Sequence, residues 1–167
     1  MDTRLSRLAE AIDKATRGMD DHQLGRHPEG KWSTAEVLEH LSLTYSGTAK
    51  GLERCLHGGV APLGPPSLKQ RLSTAVVLGI GYLPSGREAP KGTRPHGRPA
   101  QTVMTEVTRN LATMDEMIAK SEARYGSRTR VLNHPILGPL TASQWRKFHF
   151  VHGKHHLKQI LRLRQSS

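Results

Sequence analysis

The chain has 167 residues, 35% of them apolar and 4% aromatic, with Lys+Arg 25 against Asp+Glu 14 and a formal net charge of +11. That length suits one domain with a real core, and the apolar share, once the 16 glycines are counted, excludes a disordered chain. The single cysteine, Cys55, excludes an intrachain disulfide.

The first residues, Met1-Asp-Thr-Arg-Leu5, carry charges where a secretory leader needs an apolar centre. The longest apolar run, Ala75 to Leu83, is far short of the roughly 20 residues that span a bilayer. A cytoplasmic protein with no membrane partner is expected. The positive balance invites nucleic acid as a partner. Against it, no block of five or six like charges occurs, and neither a recognition-helix motif nor an aromatic stacking platform is visible.

Residues 2 to about 20 read as an amphipathic helix, with Leu5, Leu8, Ala9, Ile12, Ala15 and Met19 at helical spacing. Residues 21–32, holding Gly25, Pro28 and Gly30, read as a loop. Ser33-Thr-Ala-Glu36 is a capping box that opens a second helix, which runs to about His57 and stops at Gly58-Gly59. Val37, Leu41, Thr44, Thr48, Leu52 and Cys55 form its inward stripe, with His40 on the edge. Beside His40 stand Thr44, Gly47 and Gly51, one turn apart. Small residues in such a row either leave a pocket over His40 or let another helix approach closely.

Residues 58–100 hold seven of the ten prolines and eight of the sixteen glycines. This stretch is predicted to be a long crossover with one short helix between Ser67 and about Leu78. Its second part carries Arg87, Lys91, Arg94, His96 and Arg98 against Glu88 alone. A loop of that length and charge either closes over a site and holds an anionic group, or is a solvated crossover or oligomer arm. Residues 101 to about 124 form a clear helix on Val103, Val107, Leu111, Met114, Met117 and Ile118, with Asn110 inside the stripe. Tyr125-Gly126 stops it, and a loop, Asn133 to Leu140, leads on.

The last helix opens with Thr141 as cap and Gln144 three residues on. Trp145, Phe148, His149, His152, His156, Gln159, Ile160 and Leu163 fall on one stripe. His152 and His156, at i and i+4, bring their Cβ atoms to about 5–6 Å, from which two imidazoles can converge on one metal at about 2.0–2.1 Å. His149 is the rival ligand, or a hydrogen-bonded core histidine. A second apolar strip, Phe150, Leu157 and Leu161 with Gly153 alongside, either packs inside the same chain or buries itself in a partner as a homodimer.

No internal repeat and no confident strand is visible. Four substantial helices with a long crossover describe an all-α four-helix bundle, a single domain over residues 1–167. Bundle packing can bring His40 to His152 and His156, which would give three ligands and an open position, as catalytic zinc sites have. Glu36, one turn before His40, is the visible carboxylate for an outer-shell hydrogen bond to that ring; a backbone carbonyl is the neutral choice.

Trp32-Ser-Thr-Ala-Glu-Val-Leu-Glu-His40-Leu, His134-Pro-Ile-Leu-Gly-Pro-Leu-Thr-Ala-Ser-Gln-Trp145 and His152-Gly-Lys-His155-His156-Leu-Lys-Gln159-Ile, in this order, resemble the DinB/YfiT-like superfamily of metal-binding four-helix bundles. The resemblance implies His40, His152 and His156 as ligands of a divalent transition metal, zinc or nickel, with His155 adjacent and not a ligand. It implies a metal-dependent transferase that uses a small-molecule thiol of the bacillithiol or mycothiol type on an electrophile, or a related hydrolase. A non-enzymatic, stress-associated metal-binding protein is the alternative, and nucleic-acid binding ranks behind both. The resemblance also implies dimers, and it would let the loop from Arg87 to Arg98 hold a carboxylate of the thiol.

Overall fold

The structure, a computed structural model, describes residues 1–61, 63–84, 86 and 88–165. Side-chain caps set where its helices begin. Asp2 caps α1 (Thr3–Thr16) by accepting from the Arg4 and Leu5 amides. Ser33 and Glu36 form the expected capping box at the head of α3 (Thr34–Gly58), which ends at Gly59 with φ 82°. Thr141 and Gln144 exchange the same pair of bonds at 2.9 and 3.3 Å at the head of α6 (Ala142–Gln165). The remaining long helix is α5 (Ala100–Tyr125).

Two short helices add to these. The stretch read as a loop after α1 contains α2 (Asp21–Gly25), started by its own capping box from Asp20 and Gln23. The helix of the crossover, α4 (Leu68–Thr74), continues as a π-helical segment over Ala75–Ile80 and ends at Gly81. A single 3-10 turn, Lys91–Thr93, precedes α5.

The protein is mostly helical, and its four long helices touch one another. α3 lies along α5, α1 lies along α6, and α6 also meets α3 and α5. Their apolar stripes merge into one buried cluster that includes Leu5, Leu41, Tyr45, Leu111, Met114 and Ile160. α3 is buried on more than its predicted stripe, since Leu38 and Tyr45 are fully covered too. Asn110 ties α5 to α3 through Ser42 Oγ at 2.8 Å. Of the second apolar strip of α6, Phe150 and Leu157 pack partly buried against the core, whereas Leu161 is 43% exposed. A Cβ on Gly153 would stand 2.3 Å from Leu8 of α1, so the two helices approach there as closely as glycine permits.

The expectation of no strand is corrected. Between α5 and α6 runs a small antiparallel hairpin, β1 (Arg130–His134) and β2 (Gly138–Thr141), irregular between Arg130 and Leu132. His134 Nδ1 closes its turn by accepting the amides of Ile136 and Leu137, both at 3.1 Å. Its strands are too short, with Pro139 inside β2, for alternation to reveal them. The hairpin packs against α3 at Gly51, where a Cβ would meet Leu132 at 2.7 Å. It also receives the Trp145 Nε1–H on the Leu132 carbonyl at 3.1 Å. No helix among the described residues is long and apolar enough to cross a membrane.

Candidate metal centre

His40 projects from the second turn of α3, and His152 and His156 project from successive turns of α6. Nε2 of His152 lies 3.1 Å from Nε2 of His40 and 3.2 Å from Nε2 of His156. The candidate ligand atoms of the three rings lie within 4.8 Å of one another, near enough to share one ion, and all three residues are buried. Tetrahedral ligands at the usual zinc–nitrogen length stand about 3.3 Å apart, so two of the separations already approach that spacing.

Two of the three rings are held with a defined tautomer. His40 donates Nδ1–H to the Thr93 carbonyl at 2.7 Å, and His156 donates Nδ1–H to Gln159 Oε1 at 3.1 Å. Each therefore turns an Nε2 lone pair inward. His152 Nε2–H can satisfy one of those lone pairs and not both, while His152 Nδ1 is buried without a protein partner. A cation at the centre satisfies all three nitrogens at once, so the donor set fits a transition metal that accepts imidazole.

The surroundings keep the rings neutral, as ligands must be. Burial lowers the pKa of His40, against a smaller raising effect from its bond to Thr93. Burial pushes His156 down to about 3, with His40 adding to the shift. His152 is held well below the ordinary value by burial and then by the neighbouring imidazoles.

Glu36 does not serve as the outer-shell partner of His40. Its carboxylate is committed to the Ser33 amide at 2.8 Å and lies 3.3 Å from His27 Nδ1. The partner is the Thr93 carbonyl, the backbone alternative, delivered by the crossover. Sequence reasoning missed how the crossover is held. Glu39, 1% exposed, accepts the amides of His96, Gly97 and Arg98 at 3.0, 3.1 and 3.1 Å. A carboxylate on the buried side of a helix, beside a charged loop, was the available signal.

The rival histidines stand outside the cluster. His149 is fully buried, bonded through Nε2 to Thr48 Oγ1 at 3.0 Å and stacked near Trp145. It is the hydrogen-bonded core histidine, and burial pushes its pKa down to about 3, with the nearby His134 as a smaller cause. His155 is half-buried, with its ring edge-on to His156 at 5.1 Å.

The cluster opens on a cleft of about 1350 Å³, lined near the histidines by Trp32, Thr44, Gly47 and Phe148. The pocket reading of the small-residue row fits Gly47, and the close-packing reading is corrected at Gly51, where a strand and not another helix comes near. Gly47 faces open space, whereas Gly51 is the close approach to the hairpin. Phe148 stacks on His152 at 5.3 Å and Trp32 leans on His40 at 5.1 Å. Two arginines of the basic loop are paired: Arg94 with Glu88 of the loop at 2.7 Å and Arg98 with Glu106 of α5 at 2.9 Å. Arg87 lies outside the described residues.

The chain is similar to an uncharacterised protein, YuaE, of Bacillus subtilis (strain 168), at 27% identity over 162 residues, covering 89% of this chain and 88% of that protein. No solved structure matches it. A family described as "Protein of unknown function (DUF1569)" matches residues 1–162, nearly the whole chain with all three clustered histidines, and the protein belongs to that family.

Proposed function

We propose that His40, His152 and His156 hold one divalent transition metal ion, zinc or nickel, in a four-helix bundle of the DinB/YfiT-like kind. We infer that the protein is a metal-dependent transferase acting with a low-molecular-weight thiol. The observation that carries this reading is the convergence of three neutral imidazoles on one point at the side of an open cleft. Three protein ligands are the number catalytic zinc sites use, whereas structural sites use four. The metal, when bound, would lower the pKa of a thiol and so supply the thiolate nucleophile.

The chain's own residues prepare the site. Thr93 and Gln159 orient two rings, and Phe148 and Trp32 cover the histidines with aromatic surface. The four long helices in mutual contact support the bundle assignment. A related hydrolase stands second. The one carboxylate lining the cleft among the described residues is Glu88, which is paired with Arg94, so none is free to act as general base. A thiolate nucleophile has no need of one.

The test is metal analysis of the purified protein, followed by assay with a thiol panel and an electrophile in wild type and His152→Ala. About one metal per chain and turnover lost in the variant are expected. Equal turnover in both sinks the transferase reading. A tightly held metal with no turnover on the panel favours the non-enzymatic metal-binding role.

A further inference from the structure

The cleft that opens from the histidines is lined by eight Lys or Arg residues and one carboxylate among the described residues. The whole chain carries 25 against 14, so the cleft is far more one-sided than the protein. Glu88, the one carboxylate, is already compensated by Arg94. The cations are also ordered. Lys147, Lys154, Lys158 and Arg162 fall within one stripe of α6 about 80° wide at the helical repeat of 100° per residue. The three lysines of that stripe lie on the side of α6 away from His152 and His156, and the stripe nears the histidines only through Arg162 and His155. Lys158 and Arg162 are close enough to His155 to depress its basicity, after burial, which is the larger cause. Lys31 and Arg54, from outside α6, also line the cleft.

None of Lys147, Lys154 and Lys158 forms an ion pair among the described residues, although Lys154 lies 5.4 Å from the centre of the Phe150 ring. Like charges one turn apart on a helix repel one another. A cleft lined by one sign concentrates counter-ions of the other. The remaining wall is apolar. Ile80 and Tyr82 line the same cleft yet are 79% and 59% exposed, and Trp32 and Phe148 line it too. A bare inorganic anion would leave this surface uncovered, and a neutral apolar molecule would leave the ammonium groups unanswered.

We propose that the ligand of this cleft is a small organic carboxylate with an apolar body, whose charged end is held by Lys154 and Lys158 on the α6 wall of the cleft. The proposal deepens the functional reading above by naming the substrate class of that site. It moves anion recognition from the crossover loop, where Arg94 and Arg98 are paired, to α6.

The test is titration of the full-length chain with 3-phenylpropionate, its neutral amide 3-phenylpropionamide, and inorganic phosphate, in wild type and the Lys154→Gln/Lys158→Gln double variant. Chelator-treated protein is used so that a metal cannot supply the preference for the acid. The carboxylate is expected to bind about tenfold tighter than the amide, a difference typical of a charge-assisted contact, and to beat phosphate. In the double variant that preference should vanish while amide binding persists. Equal binding of acid and amide in wild type, or equal loss of both in the variant, overturns the proposal. So does tighter binding of a short single-stranded oligonucleotide that the same variant abolishes. Zinc uptake, measured on the same preparations, separates the two readings. Uptake without a carboxylate preference defeats this proposal alone, and a preference without uptake defeats the metal reading alone.

Discussion

Glu39 and His40, neighbours on α3, grip the same crossover from two sides. Glu39 takes three consecutive amides, His96 to Arg98, while His40 donates to the Thr93 carbonyl at 2.7 Å. Adjacent helical residues point about 100° apart, so they can clasp a chain that passes over the helix. The clasp gives a sequence-distant loop control over the tautomer of a candidate metal ligand.

Glu39→Ala leaves three amides without their acceptor and should cost about 2–4 kcal/mol of stability, since hydrogen bonds to a charged group are among the stronger ones. Denaturant unfolding reads the cost. Amide exchange at His96, Gly97 and Arg98 reads the mechanism, because these amides should lose protection before the rest of the chain. Uniform loss of protection throughout would point instead to a general core role for Glu39.

Metal loading should stabilise the wild type and leave His152→Ala unmoved. An ion present at a thousand times its dissociation constant adds about 4 kcal/mol to a fold that binds it. Thermal melts with and without chelator measure the difference. A chelator-sensitive melting temperature in His152→Ala would place the ion somewhere other than the three histidines.

Stability of the metal-free protein should fall as the solution is acidified below the ordinary histidine range. His149 has its pKa pushed down to about 3 by burial, below the 6.5 of an exposed ring. Its contribution is fully present above about pH 6.5. It is lost as pH falls from there toward about 3, because the unfolded chain takes up a proton that the native ring refuses. One such group contributes a slope of about 1.4 kcal/mol per pH unit in that window. His149→Gln should flatten the curve of urea midpoint against pH by that amount, and an unchanged slope would refute the assignment.

Two glycines in helices should respond in opposite directions to alanine. Gly47→Ala adds a methyl group to open space and should stabilise α3 by about 0.5–1 kcal/mol. Gly153→Ala places a Cβ 2.3 Å from Leu8 and 3.0 Å from the Tyr45 hydroxyl. It should destabilise by about 1–3 kcal/mol through overpacking between α6 and α1. Denaturant midpoints of the two variants decide, and a stabilised Gly153→Ala would show that α1 yields easily.

The four long helices, the caps at Ser33 and Thr141 and the pairing of His152 with His156 were legible in the sequence because each depends on residues no more than four apart, whereas the short α2 was read as a loop. Hydrophobic spacing and capping boxes are interactions of that range, so they leave a local pattern. The same range explains why α6 could be read as the histidine-bearing element before any partner was known. Only the tertiary structure decided what those histidines meet. His40 reaches His152 across 112 positions, and Thr93 reaches His40 across 53. It also decided that Glu36 closes a helix end while Glu39 binds the crossover, a choice between two carboxylates three residues apart that turns on which faces the loop. The seating of the hairpin on α3, where Leu132 meets Gly51, belongs to the same class: its energy comes from groups brought together by packing, and no periodicity within the chain records it.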